Sequence, residues 1–202
     1  MLIYIEYFSR RPGIDLVDFH RTVTSCQDER STGYSEDELL IRAARTWRLG
    51  PEPEYFCVWS TPNAGLDRID AWDREFRTPQ GMEQAALFSR VARMDIAGCY
   101  RPLLPPIPSR NGIYYAEFFR TGANQQEIRM MYEDRAKRHQ DLTLNLLIHR
   151  IGGLAPDPGG LAMWTLPSFS MVGSIATEFQ AAGQTLTPVA AGTYVDIGRE
   201  IL

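Results

Sequence analysis

The sequence predicts an α+β fold: two ferredoxin-like βαββαβ repeats in one chain, with antiparallel sheets packed face to face as an intramolecular α/β barrel. Three observations carry this. The stretch "YIEYF" (Tyr4 to Phe8) is answered by "YAEFF" (Tyr115 to Phe119). Three further motif pairs follow in the same order: "RLG" at Arg48 with "RIG" at Arg150, "WSTP" at Trp59 with "WTLP" at Trp164, and "AGCY" at Ala97 with "AGTY" at Ala191. Each half reads strand, helix, strand, strand, helix, strand, the split βαβ order. The offsets of 111, 102, 105 and 94 keep their sequence and differ only by insertions, the signature of a tandem duplication.

Leu2 to Phe8 is rich in β-branched and aromatic residues and reads as a strand broken by "RRPG". Asp15 can cap a helix whose apolar face carries Leu16, Phe19, His20 and Val23, at i, i+3, i+4 and i+7. The polar stretch "QDERSTGYSEDE" reads as a loop. A strand near Leu39 to Leu49 and a second one, "EYFCVWS", follow, joined through "GPEP". Leu66 to Arg77 is helical, Met82 to Arg93 extends or adds to it, and Met94 to Leu103 closes the half as a strand. The second half repeats the order. It has a strand over Ile113 to Arg120, a helix over Gln125 to Arg138 and a strand pair from Leu142 to Leu166. A helix near Phe169 to Ala182 and a strand near Val189 to Gly198 complete it. The expected division is 1–104 for the first repeat, 105–112 for a Pro-rich linker and 113–202 for the second repeat.

Side chains alternate along a strand, so Tyr4, Glu6 and Phe8 share one face while Ile3, Ile5 and Tyr7 share the other. The aliphatic set is expected to meet the helices, with Phe56, Val58, Leu161 and Met163. That leaves Tyr4, Glu6, Phe8, Tyr55, Cys57 and Trp59 facing Tyr115, Glu117, Phe119 and Trp164 across the interior. An aromatic cavity holding two carboxylates follows from this choice, the usual description of a small-molecule site. Burial there would let Glu6 or Glu117 act as general acid or base. The structural alternative pairs them with Arg48 and Arg150 as ion pairs, or sets them at a wet rim.

The histidines are weighed in the same way. His20 on the apolar helix face reads as a core or cleft-edge residue. His139 ends the matching helix of the second half, and His149 stands in a strand with Trp47 as its repeat mate, a candidate for the cavity wall. Tyr132 lies near His139 in the second-half helix. The unequal polar groups of the two halves favour the second-half cleft as the working one.

Composition bounds the function. With 44% apolar and 23% charged residues, the chain has the balance of an ordinary globular protein. A net charge of −4, and cationic residues spread without a run of five, argue against nucleic acid. No apolar run approaches the 18 or so residues of a membrane span, and the N-terminus is charged too soon for a secretion signal. Cys26, Cys57 and Cys99 show no metal-type spacing; three free thiols suit the cytoplasm, and each is expected to be a small buried hydrophobe. The dense histidine, P-loop, G-x-S-x-G and G-x-G-x-x-G motifs of metal, nucleotide and hydrolase chemistry are missing from the sequence.

At "RRPGIDLVDFHR" the sequence resembles the EthD-like branch of the dimeric α/β-barrel superfamily, through Arg10, Arg11, Gly13, Asp18, Phe19 and His20. "IYIEYFSRRPG" also looks like the related NIPSNAP-type opening. The histidine that the family carries after its first helix has no counterpart in the first half, where the loop runs "SCQDERS"; in the second half His139 is followed by Gln140 and Asp141 rather than Ala-Pro. The resemblance implies a cleft between sheet and helices. The superfamily includes cofactor-free monooxygenases, cyclases, decarboxylases, dehydratases and isomerases along with haem proteins, and fold alone does not choose among them. The first hypothesis is an enzyme without a tightly bound cofactor, of the lyase, isomerase or cofactor-free oxygenase kind. Such an enzyme would act on a small aromatic or polyketide-like molecule, with carboxylate and imidazole groups moving protons. Catalytic candidates are then His139, Glu117, Glu6, His149 and His20. The ligand walls would be Tyr4, Phe8, Trp47, Trp59, Tyr115, Phe119, Tyr132 and Trp164. Two alternatives stand beside this: haem held by a second-half histidine, since some tandem barrels of this type ligate iron so, and a non-catalytic ligand carrier. The protein is expected to stand as a monomer, with a homodimer as the other arrangement.

Overall fold

The computed structural model describes residues 1–34, 37–46, 53–61, 65, 67–110, 112–152, 154, 157–182 and 185–197. Trp47, Arg48 and Gly198 lie outside them. The first half runs β1 (Leu2–Arg10), α1 (Leu16–Glu29), β2 (Glu38–Arg45), β3 (Tyr55–Thr61), α2 (Asp67–Phe76), α3 (Pro79–Val91) and β4 (Ala92–Pro102). The second half runs β5 (Ile113–Arg120), α4 (Gln125–Arg138), β6 (Thr143–Arg150), β7 (Gly160–Leu166), α5 (Val172–Ala181) and β8 (Thr187–Val195).

Local chemistry sets the helix starts. Gly13, at φ +81°, makes the turn after β1, and the Asp15 side chain then accepts hydrogen bonds from the Val17 and Asp18 amides. Asn124 and Glu127 form a reciprocal capping box on α4. One expectation fails here. The polar stretch after Cys26 is not a plain loop, because α1 continues to Glu29 and a π-helical turn spans Arg30–Tyr34. That turn carries Arg30 back over the sheet.

Each half forms an antiparallel sheet with two central strands, β1 and β3 or β5 and β7. The sheets then join edge to edge. β2 pairs with β8 at Ala44↔Val195, and β4 pairs with β6 at Tyr100↔Arg150, which closes an eight-stranded barrel in the order β1-β3-β2-β8-β5-β7-β6-β4. Closure removes the free sheet edges where the halves meet. The connection from β4 to β5 ties both halves: the Ser109 amide donates to Leu40 and the Ile107 amide to Asn145.

The barrel interior corrects the expected orientation of the four central strands, β1, β3, β5 and β7. One buried cluster draws on all eight strands and on no helix, with Ile3, Ile5 and Tyr7 beside Phe56, Val58, Tyr114, Phe118, Leu161 and Met163. The two other large clusters each contain helix residues: Phe8, Tyr55, Cys57 and Trp59 pack with Phe19 and Val23 of α1, and Tyr115, Phe119 and Trp164 pack with Ile128 and Tyr132 of α4. Alternation groups these residues as the structure does, and the two sides are exchanged: the aliphatic set faces the interior and the glutamate set faces the helices. The physical reason is solvation: a buried carboxylate needs a cation, and Arg30 after α1 and Arg135 of α4 supply one on the helix side of each sheet.

Candidate functional site

Glu6 and Glu117 therefore lie in two separate layers, each between its own sheet and its own helices, and do not share a cavity. In the second half, Glu117 is fully buried and fully engaged. Arg135 of α4 holds both its oxygens, at 2.9 and 2.8 Å, and the Tyr132 hydroxyl donates to it at 2.9 Å. Arg135 also donates to the Ile175 carbonyl at 3.2 Å and lies 3.4 Å from Glu178. Burial works against the charge on Arg135, but Glu117 outweighs it and the guanidinium is held above its ordinary value. Burial, reinforced by Glu117, pushes the Tyr132 phenol well up, so it stays a donor. Trp164 is buried, and its indole N–H has no acceptor among the described residues.

The first half keeps the glutamate and changes its setting. Arg30 donates to Glu6 at 2.7 Å, and the Trp59 indole N–H takes the other oxygen at 3.0 Å. Arg30 also donates to Asp37 at 3.0 Å. That buried carboxylate further receives Thr61, Arg68 and Trp72 at 2.5, 3.2 and 2.7 Å. The Arg30 guanidinium carbon lies 4.3 Å from the centre of the Trp59 ring and 5.3 Å from that of Phe76. Its burial opposes the charge, and Glu6 with Asp37 more than restores it. Burial and then the nearby Glu6 raise the Tyr4 phenol, so it too stays protonated.

Beside this group lies a cleft of about 310 Å³. Tyr4, Glu6 and Trp59 form its sheet wall; Cys26, Gln27 and Arg30 line it from the α1 side; Gln84 and Phe88 of α3 and Phe76 of α2 complete it. The Cys26 thiol is pushed up to about 11, by burial first and Glu29 second, and so is protonated at neutral pH. A second cavity, of about 470 Å³, opens between Tyr7 and Phe118, with Glu54, Asp95 and Asp157 also lining it.

The predicted site residues scatter accordingly. Tyr4, Glu6 and Trp59 line the first-half cleft. Phe8 is buried beneath it, stacked on Tyr55 at 5.8 Å. Tyr115, Glu117, Phe119, Tyr132 and Trp164 lie together, all buried, in the second-half layer. His20 is buried against Phe19 and Tyr55. His139 caps α4 and bonds Glu178 at 3.0 Å. His149 pairs across from Arg101 on β4, and burial followed by Arg150 lowers its pKa. The three histidines do not converge, and none lines either cavity. Trp47 lies outside the described residues. Among those residues, no group of three or more His, Cys, Asp or Glu could hold a metal, no helix is long and apolar enough to cross a membrane, and all three cysteines are buried and free.

Sequence reasoning missed Arg30, Asp37, Gln84 and Arg135. Arg30 and Asp37 sat in a stretch read as loop, and Arg135 sat among exposed charges of α4. The usable signal was pairing: two strand glutamates each require a cation nearby, and α4 presents Arg135 one turn after Tyr132.

No family model matches the sequence, and no curated protein matches it. Solved structures do. A provisionally assigned chlorite dismutase superposes with a TM-score of 0.62 at 12% identity, over 98% of this chain and 96% of that one. A haem-binding protein from Thermus thermophilus gives 0.59 at 11% identity, over 98% and 92%. A provisionally assigned monooxygenase from Lactobacillus acidophilus gives 0.61 at 8% identity, over 97% and 93%. At such identities the likeness shows the fold: this chain is a tandem ferredoxin-like α/β barrel, similar to these proteins along its whole length.

Proposed function

We propose that this barrel binds a small aromatic organic molecule in the first-half cleft, and that Glu6 serves there as the proton acceptor of a cofactor-independent reaction. The observation that carries this reading is the cleft itself. It has aromatic walls at Trp59, Phe76 and Phe88, a carboxylate fixed on both oxygens by Arg30 and Trp59, and a volume at the low end of the ~300–1,000 Å³ usual for ligand sites. A carboxylate held in one orientation loses no rotational freedom when it takes a proton, the advantage of a preorganised base. Screening an aromatic fragment set by NMR tests it. Shift changes should map to Tyr4, Trp59 and Phe88, and a screen in which no fragment perturbs these residues would remove the reading.

A second reading, haem binding, is favoured by the neighbours, one of which is named as a haem-binding protein. The residues as placed do not fit the group. His139 stands at the end of α4 beside Glu178 and lines neither cavity, and the space beneath α4 is occupied by Tyr132, Phe119 and Trp164, all fully buried. Absorbance near the Soret region after haem addition decides it. A sharp band lost in His139→Ala would establish haem and displace the first reading.

A further inference from the structure

The hydrogen-bonding groups around the first-half cleft are unequally used, and the unused ones describe a ligand. Resting on the reading of this cleft as a ligand site, we propose that it selects an uncharged ring compound bearing both a hydroxyl donor and a carbonyl acceptor.

Arg30 has five N–H donors. One goes to Glu6 and one to Asp37, and the other three meet no acceptor among the described residues. The Tyr4 hydroxyl likewise has no hydrogen-bond partner among them, and burial keeps it a phenol that can donate. Two donor-bearing side chains lining the cleft, from the sheet and from the α1 side, call for an acceptor on the ligand. Gln84 gives the complementary demand. Its amide nitrogen bonds the Glu29 carboxylate, which fixes the amide orientation because a carboxylate only accepts. Its oxygen is left buried without a donor among the described residues, a state that costs free energy until a donor arrives. The ligand must therefore also donate.

Charge excludes the obvious competitors. Arg30 already lies between two carboxylates, Glu6 at 2.7 Å and Asp37 at 3.0 Å, so an anionic ligand would be the third negative group on one cation. A cationic ligand would meet Arg30 itself, and Glu6 is already paired. A neutral carbonyl takes the spare N–H groups without either penalty. The cleft volume of about 310 Å³ suits one substituted ring.

Calorimetric titration with four probes tests this: 3′-hydroxyacetophenone (donor and acceptor), acetophenone (acceptor only), 3-ethylphenol (hydroxyl only) and 3-hydroxybenzoate (charged). The first should bind at least tenfold more tightly than each of the others. Gln84→Met should weaken 3′-hydroxyacetophenone about tenfold and acetophenone less than twofold, with the melting temperature confirming an intact fold. Tighter binding of 3-hydroxybenzoate, or a Gln84→Met variant that binds 3′-hydroxyacetophenone as tightly as wild type, overturns the inference and leaves the cleft standing as a ligand site. If none of the four binds, the ligand-site reading and this inference fall together.

Discussion

The two sheet–helix layers of this barrel carry the same sheet residues and have opposite characters. Tyr4, Glu6, Phe8 and Trp59 in the first match Tyr115, Glu117, Phe119 and Trp164 in the second, yet the first borders a cleft of about 310 Å³, and in the second Glu117, Phe119 and Trp164 are fully buried. The difference comes from the helices. Counted from the first residues of α1 and α4, Leu16 and Gln125, Val23 stands where the second half has Tyr132, and Cys26 stands where it has Arg135. A ring and a guanidinium are replaced by an isopropyl group and a thiol. The first half then recovers its cation from Arg30, beyond the end of α1, leaving the space under Cys26 open. Duplication fixed the carboxylate, and two helix positions one turn apart set the two copies apart: the first borders a cleft, and the second buries its carboxylate completely.

The sharpest way to break this comparison is to remove each cation in turn. Arg135→Met leaves Glu117 buried without its ion partner and should cost about 3–5 kcal/mol in denaturant unfolding. Arg30→Met leaves Glu6 on Trp59 beside the cleft, and leaves Asp37 on Arg68, Trp72 and Thr61, so about 1–3 kcal/mol is expected. Equal costs would mean that the two layers are not differently packed.

Next in size, Tyr132→Val should cost about 2–4 kcal/mol, from the large-to-small change in a filled core plus the lost bond to Glu117. It should also give the second half a cavity of its own, visible in a crystal structure of the variant. Conversely, Cys26→Phe should fill the first-half cleft at a stability change within about 1.5 kcal/mol. It should weaken binding of 3′-hydroxyacetophenone at least tenfold by calorimetry; unchanged affinity would place that ligand elsewhere.

The smallest effect concerns pH. The Cys26 thiol is raised from 9.0 to about 11 in the folded protein, so the folded state holds its proton where the unfolded state has lost it. The associated stability is whole below pH 9 and is lost as pH rises toward 11. Partial exposure to water in the cleft reduces its size. Subtracting the Cys26→Ala profile from wild type should isolate this decline, and a flat difference between pH 8 and 11 would show that the cleft does not shield the thiol.

Much of this architecture is legible in the residues. The strands over 113–120 and the helix over 125–138 fall where periodicity places them, and Asp15 caps α1 as its position before the apolar face requires. The candidate site was read less well. Tyr4, Glu6 and Trp59 were found because alternation puts them on one face. Arg30, Asp37 and Gln84 were not found, because each reaches the site from a different element, and no local pattern records that meeting. The favoured cleft was the second one, since His139 and Tyr132 drew attention to it. Tyr132 turned out to be one of the groups that fill that layer, and His139 caps the end of α4 against Glu178.

By itself the sequence determined the duplication, the order of elements and which side chains travel together, since these follow from motif order and from the 2.0 and 3.6 residue periods. The tertiary structure decided which way each face points and which copy stays open. Alternation is symmetric under exchange of the two faces. Only the pairing of β2 with β8 and of β4 with β6 breaks that symmetry, by closing the interior around one face of each strand and leaving the glutamates to the layers where Arg30 and Arg135 can meet them.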